Sequence, residues 1–90
     1  MWMRRAADAG DAGAQFHLGT RCQHASRQGG TEEASNRRIE SFKWFQLAAA
    51  QGYVDSETAR DQISSTMTGE AIVEAHERAD QFVAALPDRN

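Results

Sequence analysis

The sequence predicts an all-α protein, an α/α superhelix (solenoid) of short antiparallel helix hairpins. Two observations indicate helices: the chain has a single proline in 90 residues, and its apolar side chains recur at spacings of three and four. A third observation indicates repetition, because the same short motif occurs twice, 42 residues apart. A chain of this length forms one domain.

The repeated motif is W-x-x-x-A-A-x-x-G. Its first copy consists of Trp2, Ala6, Ala7 and Gly10, and its second copy of Trp44, Ala48, Ala49 and Gly52. Residues four apart lie on one face of a helix, so the ring stands beside a small residue that lets another helix approach. The glycine is predicted at the C′ position, where the backbone takes a positive φ. A second helix then turns a small residue back toward the first, so each unit is a helix hairpin. That small residue is Ala14 in one copy and Ser56 in the other.

Caps, glycines and apolar spacing predict the elements in order. A first helix covers residues 1–9 and ends at Gly10; a second covers 11–25, with Asp11 as its N-cap. A loop at 26–31 contains Gly29 and Gly30, and a long third helix covers 32–51. The predicted inward stripes are Ala14, Leu18 and Cys22 on the second helix, and Ile39, Phe42, Phe45 and Ala49, widened by Trp44 and Ala48, on the third.

The remaining chain predicts two more helices. Residues 54–66 form a fourth helix, with Ala59 and Ile63 inward, and a fifth runs from its cap Thr68 to about residue 85, before Pro87. The fifth helix turns Ile72, Ala75, Ala79, Phe82 and Leu86 inward and Glu70, Glu74, Glu77, Arg78, Asp80 and Gln81 outward. The predicted domain therefore covers 1–86, as a partial first repeat (1–25), a second repeat (32–66) and a terminal cap helix (68–86), with a tail at 87–90.

Continued through Leu18 and Gly19, the first motif resembles the Sel1-like repeat, a relative of the tetratricopeptide repeat. The stretch FKWFQLAAAQG resembles the end of the next helix in that family, and TMTGEAIVEAHERADQFV resembles its closing segment, with Gly69 where proline is usual. The family unit has about 36 residues, so the interval here is about six residues too long. Cys22 stands where an aromatic residue is usual. The resemblance implies a non-catalytic adaptor or scaffold.

A protein or peptide partner is therefore expected, because stacked hairpins offer a concave surface to a peptide. The candidate contact residues are Arg38, Ser41, Lys43 and Gln46, which are predicted to be exposed on the third helix. An alternative is a fragment or end-cap of a longer array that self-associates. The chain starts near the end of a helix, and Met1, Trp2 and Met3, with Phe16 and Leu18 nearby, would then pair two copies through an apolar N-terminal end.

The sequence predicts no catalytic residue, cofactor or metal site. His17, Cys22 and His24 lie at spacings of five and two and so face different sides of a helix; Cys22 is expected to be buried and inert. Glu32 and Glu33 are interpreted as first-turn acids favoured by the helix dipole, and the two tryptophans as packing residues. Some cysteine-rich relatives are proposed to bind or hydrolyse β-lactams, but those have paired cysteines in each repeat and this chain has one cysteine.

Charge and hydropathy exclude other classes of partner. A net charge of −3 argues against nucleic acid, which requires a basic face. No apolar run approaches the roughly 18 residues of a membrane span, and the N-terminal residues have no apolar signal-peptide core. With a single cysteine, which excludes an internal disulfide, these features favour a cytoplasmic protein.

Overall fold

The computed structural model describes residues 2–27 and 31–85, with residues 2–4 and Thr31 described by their backbone alone. These ranges contain five α-helices and no strand, as the sequence predicts. The helices are α1 (Trp2–Asp8), α2 (Ala12–Ala25), α3 (Thr31–Ala50), α4 (Ser56–Ser64) and α5 (Gly69–Ala85). The molecule measures 41 × 25 × 22 Å along its principal axes.

The turns that end α1 and α3 have the same hydrogen bonds. Gly10 N–H donates to Ala7 and Asp11 N–H to Ala6; Gly52 N–H donates to Ala49 and Tyr53 N–H to Ala48, all at 2.9–3.1 Å. This pair of bonds defines the Schellman motif, which places a left-handed residue at C′. The two glycines have φ of 99° and 77°. The positive φ expected at both motif glycines is therefore present.

The two helices that follow these turns start differently. Asp11 caps α2 by accepting a hydrogen bond from Ala14 N–H at 2.8 Å. Before α4, Asp55 takes a left-handed conformation with φ 69° and forms no side-chain cap. The predicted start of the fourth helix at residue 54 is therefore wrong, because a left-handed residue cannot continue a right-handed helix. The helix begins at Ser56 and is shorter than predicted.

Helix α3 lies at the centre of the fold and packs against α2, α4 and α5. It contributes to two clusters of buried apolar side chains. The first cluster consists of Ala7, Ala14, Trp44, Leu47 and Ala79, and the second of Phe42, Phe45, Ile63 and Ala75. Because α3 supplies aromatic rings to both clusters, the apolar residues predicted to face inward hold both sides of the molecule together.

The closest approach in the fold is between α2 and α3 at Gly19. A β-carbon at this position would lie 2.7 Å from two carbons of the Phe45 ring, which is fully buried. The Gly19 carbonyl also accepts a hydrogen bond from the buried Ser41 hydroxyl at 2.8 Å. The Leu-Gly pair of the motif therefore marks the point where the two helices touch, and the second of these residues has to be glycine.

Side-chain amides fix the first turn to the end of α3. Gln15 is 1% exposed and donates to the Ala7 carbonyl at 3.2 Å. Gln51 donates to the Gly10 carbonyl at 2.7 Å and to the Gln15 side-chain oxygen at 3.0 Å. These bonds give the buried Gln15 amide its partners, and they tie α1 and its turn to the end of α3.

Candidate binding surface

Two of the four candidate contact residues on α3 are not exposed. Ser41 is fully buried, and its hydroxyl bonds the Gly19 carbonyl of α2. Lys43 is 9% exposed; its Nζ lies 3.1 Å from Glu40 Oε1 and 4.0 Å from the centre of the Trp44 ring. The prediction that both face solvent is wrong, because neighbouring helices cover three sides of α3 and leave little free surface beside these positions.

The other two candidates are half-buried and do not join the first two in one surface. Gln46 accepts a hydrogen bond from Arg60 of α4 at 2.9 Å, so it faces α4, while Ser41 faces α2. Arg38 lies two turns earlier on the helix. Ser41 and Gln46 therefore point toward different neighbouring helices, so the four residues do not form one exposed surface.

The solvent-facing part of α3 is its N-terminal half, where Glu32, Glu33, Asn36 and Arg37 are exposed. A cleft opens on each side of this segment. The α3–α5 cleft, of about 500 Å³, is lined by Glu32, Glu33, Ser35, Asn36, Ile39, Glu74 and Arg78. The α2–α3 cleft, of about 310 Å³, is lined by Leu18, Cys22, Glu33, Asn36, Arg37, Glu40 and Trp44. Glu33 and Asn36 line both clefts, so the two clefts meet across α3.

A cluster of charged side chains joins α3 to α5 where the clefts meet. Arg78 Nη1 lies 2.7 Å from Glu40 Oε2 and 3.2 Å from Asn36 Oδ1, and Arg78 Nη2 lies 2.8 Å from Glu74 Oε2. Lys43 binds the other oxygen of Glu40. Glu74 and Arg78 are four residues apart and pair on α5. The sequence places Arg78 outward, but the structure turns it toward α3.

The cluster shifts the acidity of Glu40. Burial desolvates its carboxylate and by itself raises the pKa. The hydrogen bond from Arg78 and the charge of Lys43 outweigh that cost, so the pKa of Glu40 lies below its ordinary value. Glu40 is therefore an anion at neutral pH, and its bond to Arg78 holds α5 against α3, whereas its bond to Lys43 lies within α3.

Cys22 does not have the buried position predicted for it. It is half-buried, as is Leu18, and both pack against the first core cluster while lining the α2–α3 cleft. The cleft leaves one side of this stripe open, which is why the thiol is not enclosed. His17 and His24 are exposed. In the ranges 2–27 and 31–85, no group of three or more histidine, cysteine and acidic side chains is placed to hold a metal ion.

None of the protein-family models, curated proteins or solved structures compared with this chain matches it. The similarity to Sel1-like repeats therefore stays a prediction from the motif. No helix in the described part of the chain is both long enough and apolar enough to cross a bilayer.

Of the residues assigned to the proposed apolar N-terminal end, the structure describes the side chains of Phe16 and Leu18. Met1 and the side chains of Trp2 and Met3 lie outside the described residues. Phe16 is half-buried, with its ring 5.5 Å from that of Phe45 and 5.4 Å from that of Tyr53. Trp44, which matches Trp2 in the second copy of the motif, is 1% exposed, and its ring meets the Phe82 ring edge-on with 5.4 Å between the ring centres. The packing role predicted for Trp44 is confirmed.

The sequence analysis did not predict the row of acceptor side chains on α3. Glu33, Asn36 and Glu40 follow each other at spacings of three and four, which places them on one helical face. That spacing was readable from the sequence. The arginine that completes the row comes from α5, 38 residues after Glu40, and no local pattern connects the two.

Proposed function

We propose that this protein is a non-catalytic interaction module of the Sel1-like repeat type, an adaptor or scaffold that binds a segment of a partner protein. The observation that carries the proposal is the pair of clefts that meet across the exposed N-terminal half of α3. The clefts lie on either side of this segment and share Glu33 and Asn36, and extended peptides bind helical repeat proteins across surfaces formed by adjacent helices.

The packing order supports a repeat architecture. Helices α1 and α2, and likewise α3 and α4, are consecutive and pack against each other. Each pair is joined through the same glycine turn, and α3 touches both the preceding hairpin and α5. In an α/α superhelix, α1, α3 and α5 would form one layer and α2 and α4 the other. The proposed binding face then has α3 of the first layer at its centre, with α5 of the same layer on one side and α2 of the other layer on the other side.

The chemistry of the clefts favours binding over catalysis. Their charged groups are carboxylates and guanidinium groups, several of them already paired with each other. Apolar side chains supply the rest of the lining, including Ile39 in one cleft and Leu18 in the other. Protein interfaces combine an apolar core with a polar rim, and the apolar and charged lining of the clefts is consistent with that arrangement.

Photo-cross-linking tests the proposal. A photoreactive phenylalanine analogue replaces Arg37 on the exposed face of α3 or, as the matched control, Gln62 on the exposed face of α4. In native cells we expect a discrete protein adduct at position 37 and none at position 62. Adducts of equal yield at both positions, or none at position 37, would contradict the proposal. An adduct between two copies of this chain would favour self-association.

A further inference from the structure

We propose that the partner segment bound across α3 is basic, with an arginine or lysine that pairs with Glu33 and Glu32 in the α3–α5 cleft. This inference rests on the proposed function and adds the chemistry and the orientation of the partner.

The protein's own Arg78 shows what this face of α3 binds. Glu33, Asn36 and Glu40 form a row of acceptors along the helix, and Arg78 occupies the part of the row at Asn36 and Glu40. Its guanidinium group fits between the carboxylates of two helices, with contacts of 2.7–2.8 Å. Planar guanidinium groups suit this arrangement, since they donate several hydrogen bonds to carboxylates in a fixed geometry.

The next acceptor in the row is open to a partner. Glu33 and Glu32 are exposed, and neither forms an ion pair with any described side chain. The α3–α5 cleft contains three carboxylates against one guanidinium group, and that group is already shared between Glu40 and Glu74. The cleft is therefore left with negative charge at the end opposite Arg78. A cation from a partner is the complementary occupant.

The two clefts differ in charge, and the difference orients the segment. The α2–α3 cleft carries the exposed Arg37, and its apolar lining includes Leu18 and Cys22. Two carboxylates, Glu33 and Glu40, also line that cleft, but Glu40 is already paired with Arg78 and Lys43, so Arg37 leaves less attraction for a cation there than in the α3–α5 cleft. An apolar side chain, by contrast, gains contact with half-buried carbon groups in the α2–α3 cleft. The basic residue is therefore placed over the α3–α5 cleft, and an apolar neighbour in the segment is placed over the α2–α3 cleft.

Peptide binding tests this inference. The probes are short fluorescein-labelled peptides that share the same apolar residues and carry arginine, glutamine or glutamate at the remaining positions. Their affinity for the full chain is measured by fluorescence anisotropy at low and high salt. The variant is Glu33→Gln. The matched control is Glu57→Gln, because Glu57 is also an exposed acid in the first turn of a helix, α4. Circular dichroism verifies that both variants keep their helix content.

We expect the arginine peptide to bind most tightly and to weaken as salt rises, because exposed charges are screened. Glu33→Gln should weaken its binding by about twofold to fivefold, as expected for the loss of one exposed charge pair, and Glu57→Gln should leave it unchanged. Equal weakening by both variants, or equal binding of all three peptides, would overturn the inference. If the Arg37 cross-linking succeeds but the captured segment is acidic or neutral, the inference fails while the proposed function stands.

Discussion

Substitution of Gly19 by alanine is the sharpest test of the packing between α2 and α3. In an exposed helix interior this change stabilises a protein by up to about 1 kcal/mol, because alanine restricts the unfolded chain and favours the helix. At Gly19 the new methyl group would lie 2.7 Å from two ring carbons of Phe45 and 3.2 Å from a third. Carbon atoms in contact are normally about 3.5–4.0 Å apart, so the ring or the helix has to move.

Movement of the Phe45 ring and movement of the helix both lower the stability of the fold. The Phe45 ring is fully buried in the second core cluster, with Phe42 and Ile63 as members of the same cluster. Overpacking such a site costs about 1–3 kcal/mol. Separation of the helices would also stretch the bond from Ser41 to the Gly19 carbonyl, which is worth about 1 kcal/mol. After subtraction of the gain in helix propensity, we expect a net loss of about 2 kcal/mol, or about 8–16 °C in Tm.

Thermal and urea unfolding, followed by circular dichroism, measures this loss. The matched control is Gly69→Ala in α5, where a β-carbon would have no neighbour within 4 Å; this variant should be at least as stable as the wild type. Replacement of Phe45 by leucine should cost less in the Gly19→Ala background than in the wild type, since it removes the ring that clashes. Wild-type stability of Gly19→Ala, or an equal cost of Phe45→Leu in both backgrounds, would refute the reasoning.

Three further predictions concern stability. Ser56→Ala should raise the free energy of unfolding in urea by about 1 kcal/mol, because the Ser56 hydroxyl is fully buried and has no hydrogen-bond partner among the described residues. Ala14, at the matching position of the first motif, needs no such partner; a lower free energy of unfolding for Ser56→Ala would contradict this prediction. Gly52→Ala should lower stability by about 1–2 kcal/mol through backbone strain alone, since its φ is 77° and the space around it is empty. Glu40 has a lowered pKa, so its contribution is present above the ordinary carboxylate pKa and is lost as the pH falls through the lower, folded value. Acid titration should therefore destabilise the wild type more than Glu40→Gln, and parallel curves would exclude this role.

The sequence by itself determined the helical class and most of the local structure. Apolar spacing predicted five helices, and the ends of α2, α3 and α5 lie within a residue or so of the prediction. The two motif glycines have the predicted positive φ, because that requirement is local to the turn. The start of α4 was missed, since the left-handed conformation of Asp55 has no strong local signal.

Tertiary structure alone decided which polar positions of α3 remain exposed. Ser41 and Lys43 look like surface residues in a helical pattern, yet packing on three sides buries them, and their polar atoms find partners on the Gly19 carbonyl and on Glu40. The row of acceptor side chains on α3 is completed by Arg78, 38 residues beyond Glu40. Periodicity reports which face of a helix is apolar, but the number of neighbours around that helix and the identity of its long-range partners follow only from how the helices pack.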